Sequence, residues 1–156
     1  MFNQHSIIGS VTPNLRRIIL YSTIMVPIDL DHADTVEKAI KIAVDIAKIY
    51  NAEIYLAGVT ATTPGSVAHN PEEYGEKLTQ FAAEHSQSTG YTLKPRVVIC
   101  NDPAAELDVA LEKAGKEIDV DLVVMASHIP GFMDHLFHSK ACHLANHTDI
   151  SVFIVR

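Results

Sequence analysis

Two stretches of the chain carry side chains suited to holding a ligand. In the first, Val26-Pro27-Ile28-Asp29, an apolar run ends on a carboxylate. A carboxylate only accepts hydrogen bonds, so Asp29 suits a ribose hydroxyl or an adenine amino group. It equally suits a turn cap, with Asp31 and Asp34 crowded alongside, and side-chain chemistry by itself favours the cap. In the second stretch, Met125-Ala126-Ser127-His128 leads on to His138-Ser139-Lys140. A small polar residue at a strand end, followed about a dozen residues later by a second hydroxyl at a helix start, is how an α/β sheet builds a phosphate cradle. Lys140 adds a cation for phosphate, as an ordinary surface lysine also would.

The same end of the chain is rich in histidine: His128, His135, His138, His143 and His147. His143 and His147 stand four apart, a spacing able to clamp Zn²⁺ from one helix face. A zincin carries Glu directly after the first histidine, where this chain has Leu144, and neither Cys142 nor Asp149 completes a tetrahedron. The cluster reads as a polar helix face that titrates near pH 6.5, and no metal is expected. The sequence has no nucleophile elbow, no P-loop and no paired carboxylates at a defined spacing. Ser139 beside His138 and His135 is adjacency, not a triad. Binding is expected, and an enzyme is not.

These residues must be positioned by alternating strands and helices. Thr23–Ile28 is continuously apolar, as a strand covered on both faces should be. Asp34 and Glu37 form a D-x-x-E box ahead of a helix whose inward stripe is Val36, Ala39, Ile40, Ala43, Val44 and Ala47, stopped at Asn51. Glu53–Val59 is strand two. The loop 61–69 is rich in Thr, Pro, Gly and Ser, and Asn70-Pro71-Glu72-Glu73 opens helix two with a cap, a first-turn proline and carboxylates against the dipole. Its apolar face is Tyr74, Leu78, Phe81 and Ala82, and Gly90 ends it. Strand three, Leu93–Cys100, contains Pro95, which cannot donate to a ladder and so belongs at a sheet edge. Asp102-Pro103 opens helix three, with Leu107, Ala110, Leu111 and Ala114 inward and Gly115 as its expected stop. Leu122–Ala126, a fourth helix and Ser151–Val155 complete five strands.

Strands alternating with helices make βαβ units and a parallel sheet. The expected fold is α/β: one doubly wound, Rossmann-like open sheet in the order 3-2-1-4-5, with helices on both faces. That order puts Pro95 on an edge and reverses direction between strands one and four, where ligands bind beyond the carboxyl ends. It also leaves strand five, Ile150 to Val155, on the other edge. That strand is short and apolar and would aggregate unless paired, so a homodimer about a two-fold axis through it is expected.

Three segments resemble the universal stress protein family: Val26-Pro27-Ile28-Asp29, the strand end from Asp121 to His128, and the closing Ser151-Val152-Phe153-Ile154-Val155-Arg156. The family's C-terminal signature runs Gly-x-His, a loop, then Gly-Ser. Here Ala126, Ile129 and His138 stand at glycine positions, with Pro130 following, while Ser139 fits the pattern. The resemblance covers Thr23 to Arg156 and implies a cytoplasmic, commonly dimeric stress-response protein, some branches of which bind ATP or AMP. It turns the reading of Asp29 toward a nucleotide contact and lays Val59 against adenine. The implied ligand set is Pro27, Ile28, Asp29, Val59, Met125, Ala126, Ser127, His128, His138, Ser139 and Lys140. With the phosphate loop short of glycine, adenine nucleotide is expected to bind weakly. The alternative is a dimeric interaction module whose site has decayed.

Composition bounds the rest. The 156 residues suffice for one domain with a sizeable core, read as a tail over 1–20 and a domain over 21–156. A formal charge of −7 with no basic stripe argues against nucleic acid or an anionic membrane surface as partner. The apolar run Ile18 to Val26 falls far short of the about 20 residues a membrane span needs. Cys100 and Cys142, with no CxxC, read as thiols of a reduced cytosolic protein.

Overall fold

Six consecutive residues with no exposed side chain form β1, Thr23–Ile28. The computed structural model describes residues 20–126 and 149–156. After β1 come a 3-10 helix η1 (Leu30–Val36), α1 (Glu37–Tyr50), β2 (Glu53–Thr60), α2 (Pro71–Thr89), β3 (Leu93–Ile99), α3 (Pro103–Glu117), β4 (Leu122–Ala126) and β5 (Ser151–Val155). The sheet is parallel, in the order β3-β2-β1-β4-β5, the order expected from the sequence. Pro95 lies on the edge strand β3, opposite Leu56.

The central strands are buried because both faces are covered. Ile24, Met25, Ile54, Leu56, Val123 and Val124 are all essentially inaccessible, each apolar side chain contributing about 1.5–3 kcal/mol by leaving water. Ala39, Ile40, Ala43, Val44 and Ala47 form the buried stripe of α1, and Tyr74, Leu78 and Ala82 that of α2. Helix ends follow local chemistry. The Asn70 side chain accepts from the Glu73 N–H at 2.8 Å and caps α2, Asp102 caps α3 through the Ala105 N–H, and Asn51 and Gly90 take the left-handed conformation that ends α1 and α2.

Two helix boundaries differ from expectation, and β2 and β3 end one residue later and one residue earlier than expected. Val36, and not Asp34, stands at the N-cap of α1, without a side-chain cap; the Asp34 side chain of the expected box lies outside what the structure describes. Asp29 starts η1 instead, its extended backbone and short acceptor being ready for the Asp31 N–H. Gly115 does not stop α3, which runs on to Glu117. The Gly115 carbonyl accepts from the N–H groups of Ile118 and Val120, and Asp119 supplies the positive φ of the turn.

One feature of the ladder opens the crevice. β1 pairs with β2 along its whole length, to Ile28 opposite Gly58. It pairs with β4 only at Ile24–Leu122 and Met25–Val123. The next β4 bond would need an N–H from residue 27, and a proline has none. The carboxyl ends of β1 and β4 therefore run on without a ladder between them, at the point where strand order reverses.

Candidate functional site

Asp29 leaves β1 in an extended conformation and turns the chain into η1. Its Oδ1 accepts from the Asp31 N–H at 3.0 Å. Its Oδ2 stands 3.0 Å from His32 Nδ1, so that nitrogen carries the proton and donates. Both readings of Asp29 thus meet in one residue. It caps a turn, and a carboxylate with about four lone-pair sites keeps two for a ligand. Its side chain is 12% exposed, enough to be reached.

Asp29 forms one wall of a cavity of about 370 Å³ at the carboxyl ends of β1, β2 and β3. Val59, Thr60 and Ala61 form the floor beside Asp31 and His32, Thr63 to Ala68 arch over it, and Tyr74 and Cys100 close the far side. Val59 stands one residue beyond the last β1 pair, so its carbonyl, on the β1-facing edge, has no strand residue opposite it. The arch is tied down on several sides. Asn101 Oδ1 accepts from both the N–H and the hydroxyl of Thr62 at 2.9 Å. The Ser66 hydroxyl donates to the Asp31 carboxylate, Lys77 Nζ donates to the Val67 carbonyl, and the His69 N–H donates to Glu73 at 2.9 Å.

Tyr74 is buried, 3% exposed, and its hydroxyl, close to the Leu30 backbone N–H, makes no hydrogen bond of good geometry. Burial first, then the nearby Asp29 charge, push its phenol above the ordinary range, so it stays protonated at any physiological pH. On the outer surface, Lys77 and then His69 hold Glu73 down at about 2.

The cavity brings together Asp29 and Val59 of the ligand set expected from sequence. Pro27 and Ile28 are buried within β1, and Met125 and Ala126 within β4. Ser127, His128, His138, Ser139 and Lys140 lie outside the described residues, as does the histidine cluster. Sequence reasoning did not single out Asp31, His32, Tyr74, Cys100 or the arch. The Thr-Pro-Gly-Ser composition of loop 61–69, directly after a strand end, was the available signal. Among the described residues, no three His, Cys, Asp or Glu side chains converge to hold a metal ion, and no helix is long and apolar enough to cross a membrane.

Known proteins share this architecture. Universal stress protein G of Salmonella typhimurium is 27% identical over 147 residues, covering 88% of this chain and all of the relative. A universal stress protein crystallised in complex with cAMP superposes with a TM-score of 0.61 at 22% identity, covering 88% of this chain and 98% of the other. A universal stress protein of Archaeoglobus fulgidus in complex with dAMP gives 0.54 at 19%, covering 88% and 99%. These structural likenesses show the fold. Residues 20–156 match the model of the universal stress protein family, and the chain belongs to that family.

Proposed function

We propose that this protein is a cytoplasmic stress-response regulator that binds an adenine nucleotide weakly at the carboxyl ends of β1 and β2. One observation carries the reading: Asp29 and Val59, distant in sequence, face one cavity beside the unladdered gap between β1 and β4. In the proposed pose Asp29 accepts from a ribose hydroxyl and the Val59 carbonyl meets the base. The family signature assigns phosphate to Ser127, His128, His138, Ser139 and Lys140, which lie outside the described residues. Solved relatives in complex with cAMP and dAMP support the ligand class. The phosphate end is weak because side chains occupy glycine positions at Ala126, Ile129 and His138, and each charge-assisted bond lost there forgoes about 1.5–3 kcal/mol. Titration calorimetry with AMP and ATP tests this. The expected dissociation constants are on the order of 10 μM to 1 mM. A submicromolar constant would show the phosphate end intact, and no heat at millimolar AMP, ADP or ATP would overturn nucleotide binding.

A second reading rests on β5. Phe153 is 45% exposed and Ile154 40%, on a strand whose only described neighbour is β4. Pairing of that edge with its own copy would satisfy the outer backbone groups and cover both side chains. The chain would then act through a dimer surface, with or without ligand.

A further inference from the structure

We infer that His32 is the positioning residue of this site: it holds the Asp29 carboxylate in the orientation that meets a ligand hydroxyl. The inference rests on the adenine reading above and assigns the part that a neighbouring side chain plays in it. Three observations carry it, one on the side chain of Asp29, one on the backbone of η1 and one on the cavity wall.

Both oxygens of Asp29 are anchored by the residues that follow it. Oδ1 accepts from the Asp31 N–H at 3.0 Å, and Oδ2 accepts from His32 Nδ1 at 3.0 Å. The last torsion of an aspartate is soft, so a single bond leaves the carboxylate free to turn. Bonds on two different oxygens fix its plane, and the remaining lone pairs then point in set directions. The backbone makes the second bond possible. His32 departs from helical geometry inside η1, with φ −129° and ψ 44°, while its N–H donates to the Asp29 carbonyl at 3.1 Å. The kink and the closed turn together return the imidazole to a side chain three residues earlier. Finally, His32 lines the cavity beside Asp29, and its side chain is 36% exposed against 12% for Asp29. A ring that exposed adds little to core packing, and its bond acts on the wall that a ligand meets.

A free aspartate must be immobilised when a ligand binds. A carboxylate already held avoids that loss, which corresponds to about two- to tenfold in affinity.

The test is an AMP titration of the full chain followed by NMR, with His32→Leu, His32→Asn, Asp29→Ala and the double variant of Asp29→Ala with His32→Leu. His32→Leu should weaken AMP by about two- to tenfold. His32→Asn places an amide N–H where Nδ1 stands and should restore most of the affinity. In the Asp29→Ala background, His32→Leu should change nothing further, because the ring acts through the carboxylate. Long-range proton–nitrogen spectra of the wild type above neutral pH should place a proton on His32 Nδ1. Wild-type affinity in His32→Leu, or the same loss with and without Asp29, would overturn the inference while leaving the adenine reading in place. A His32 ring protonated on Nε2 alone would overturn it too, with or without ligand. Wild-type spectra unmoved by millimolar AMP would remove the adenine reading itself, and this inference with it.

Discussion

Tyr74 lies so close over Gly58 that a β-carbon on Gly58 would stand 2.8 Å from Tyr74 Cε1 and 3.0 Å from its hydroxyl, with Leu78 Cδ2 at 2.9 Å. The absence of a side chain at residue 58 of β2 is what lets the first turn of α2 come down on the sheet and wall off the cavity. Gly58→Ala is expected to destabilise the fold by about 1–3 kcal/mol through overpacking, read as a fall in the urea midpoint. Combining it with Tyr74→Ala should recover part of the overpacking term, and a strictly additive double variant would contradict the contact.

Tyr74→Phe tests the buried hydroxyl. With no hydrogen bond of good geometry to lose, removing it should leave stability unchanged or raise it by up to about 1 kcal/mol. A loss of more than about 1 kcal/mol in thermal or urea unfolding would show that the hydroxyl is bonded within the fold.

Asp121 clasps the amino-terminal ends of two central strands. Its Oδ2 accepts from both the N–H and the hydroxyl of Ser22 at 2.7 Å, and its Oδ1 from the Thr23 N–H at 3.2 Å. Asp121→Ala should cost about 1–3 kcal/mol, charge-assisted bonds being discounted for the exposed position. Asp121→Asn should recover part of that. Equal urea midpoints for wild type and alanine variant would show that the clasp contributes nothing.

Pro27 should hold the crevice open by withholding one N–H. Pro27→Ala is expected to let the β1–β4 ladder lengthen, seen as new amide protection by hydrogen exchange at residue 27 and Met125, and to weaken ligand binding. Exchange unchanged around β4 would assign the gap to another cause.

Glu73, held down at about 2 by Lys77 and then His69, gives a pH signature. A lowered folded-state value means the carboxylate stabilises the fold at pH above about 4.5 and loses that contribution as pH falls toward 2. The stability gap between wild type and Glu73→Gln should therefore be small but measurable at pH 7 in low salt, and should shrink progressively below pH 4.5. A gap that widens on acidification would reverse the sign and refute the ion pair.

Phe153→Glu on the exposed edge should yield a monomer by light scattering with circular dichroism unchanged. A dimer that survives the substitution would place any interface elsewhere.

The strand order was legible because a buried parallel strand writes itself as an unbroken apolar run, and because Pro95 can occupy only an edge. The start of α1 was not. Asp34 and Asp29 both offered a carboxylate to a nearby N–H, and choosing between them depends on the extended backbone that β1 imposes on Asp29. Gly115 read as a stop from composition, yet a β-carbon there would make only ordinary contacts, 3.6–3.7 Å from Ile150, Val120 and Met25, and the helix passes through. Of the site, Asp29 and Val59 were readable as strand ends. Tyr74 was readable only as one member of an apolar helix face, since its second role as a cavity wall depends on Gly58, sixteen positions earlier in another strand.

Every described residue lining the cavity falls between positions 29 and 100, whereas the glycine-poor signature begins at Ala126. Mutations in the first stretch act on these walls, and mutations in the second act on the signature. The walls can be held constant by selection while the last thirty residues drift, or the reverse. A descendant of this chain could regain glycines after β4 without rebuilding the recess, and could equally exchange that segment wholesale with a relative's.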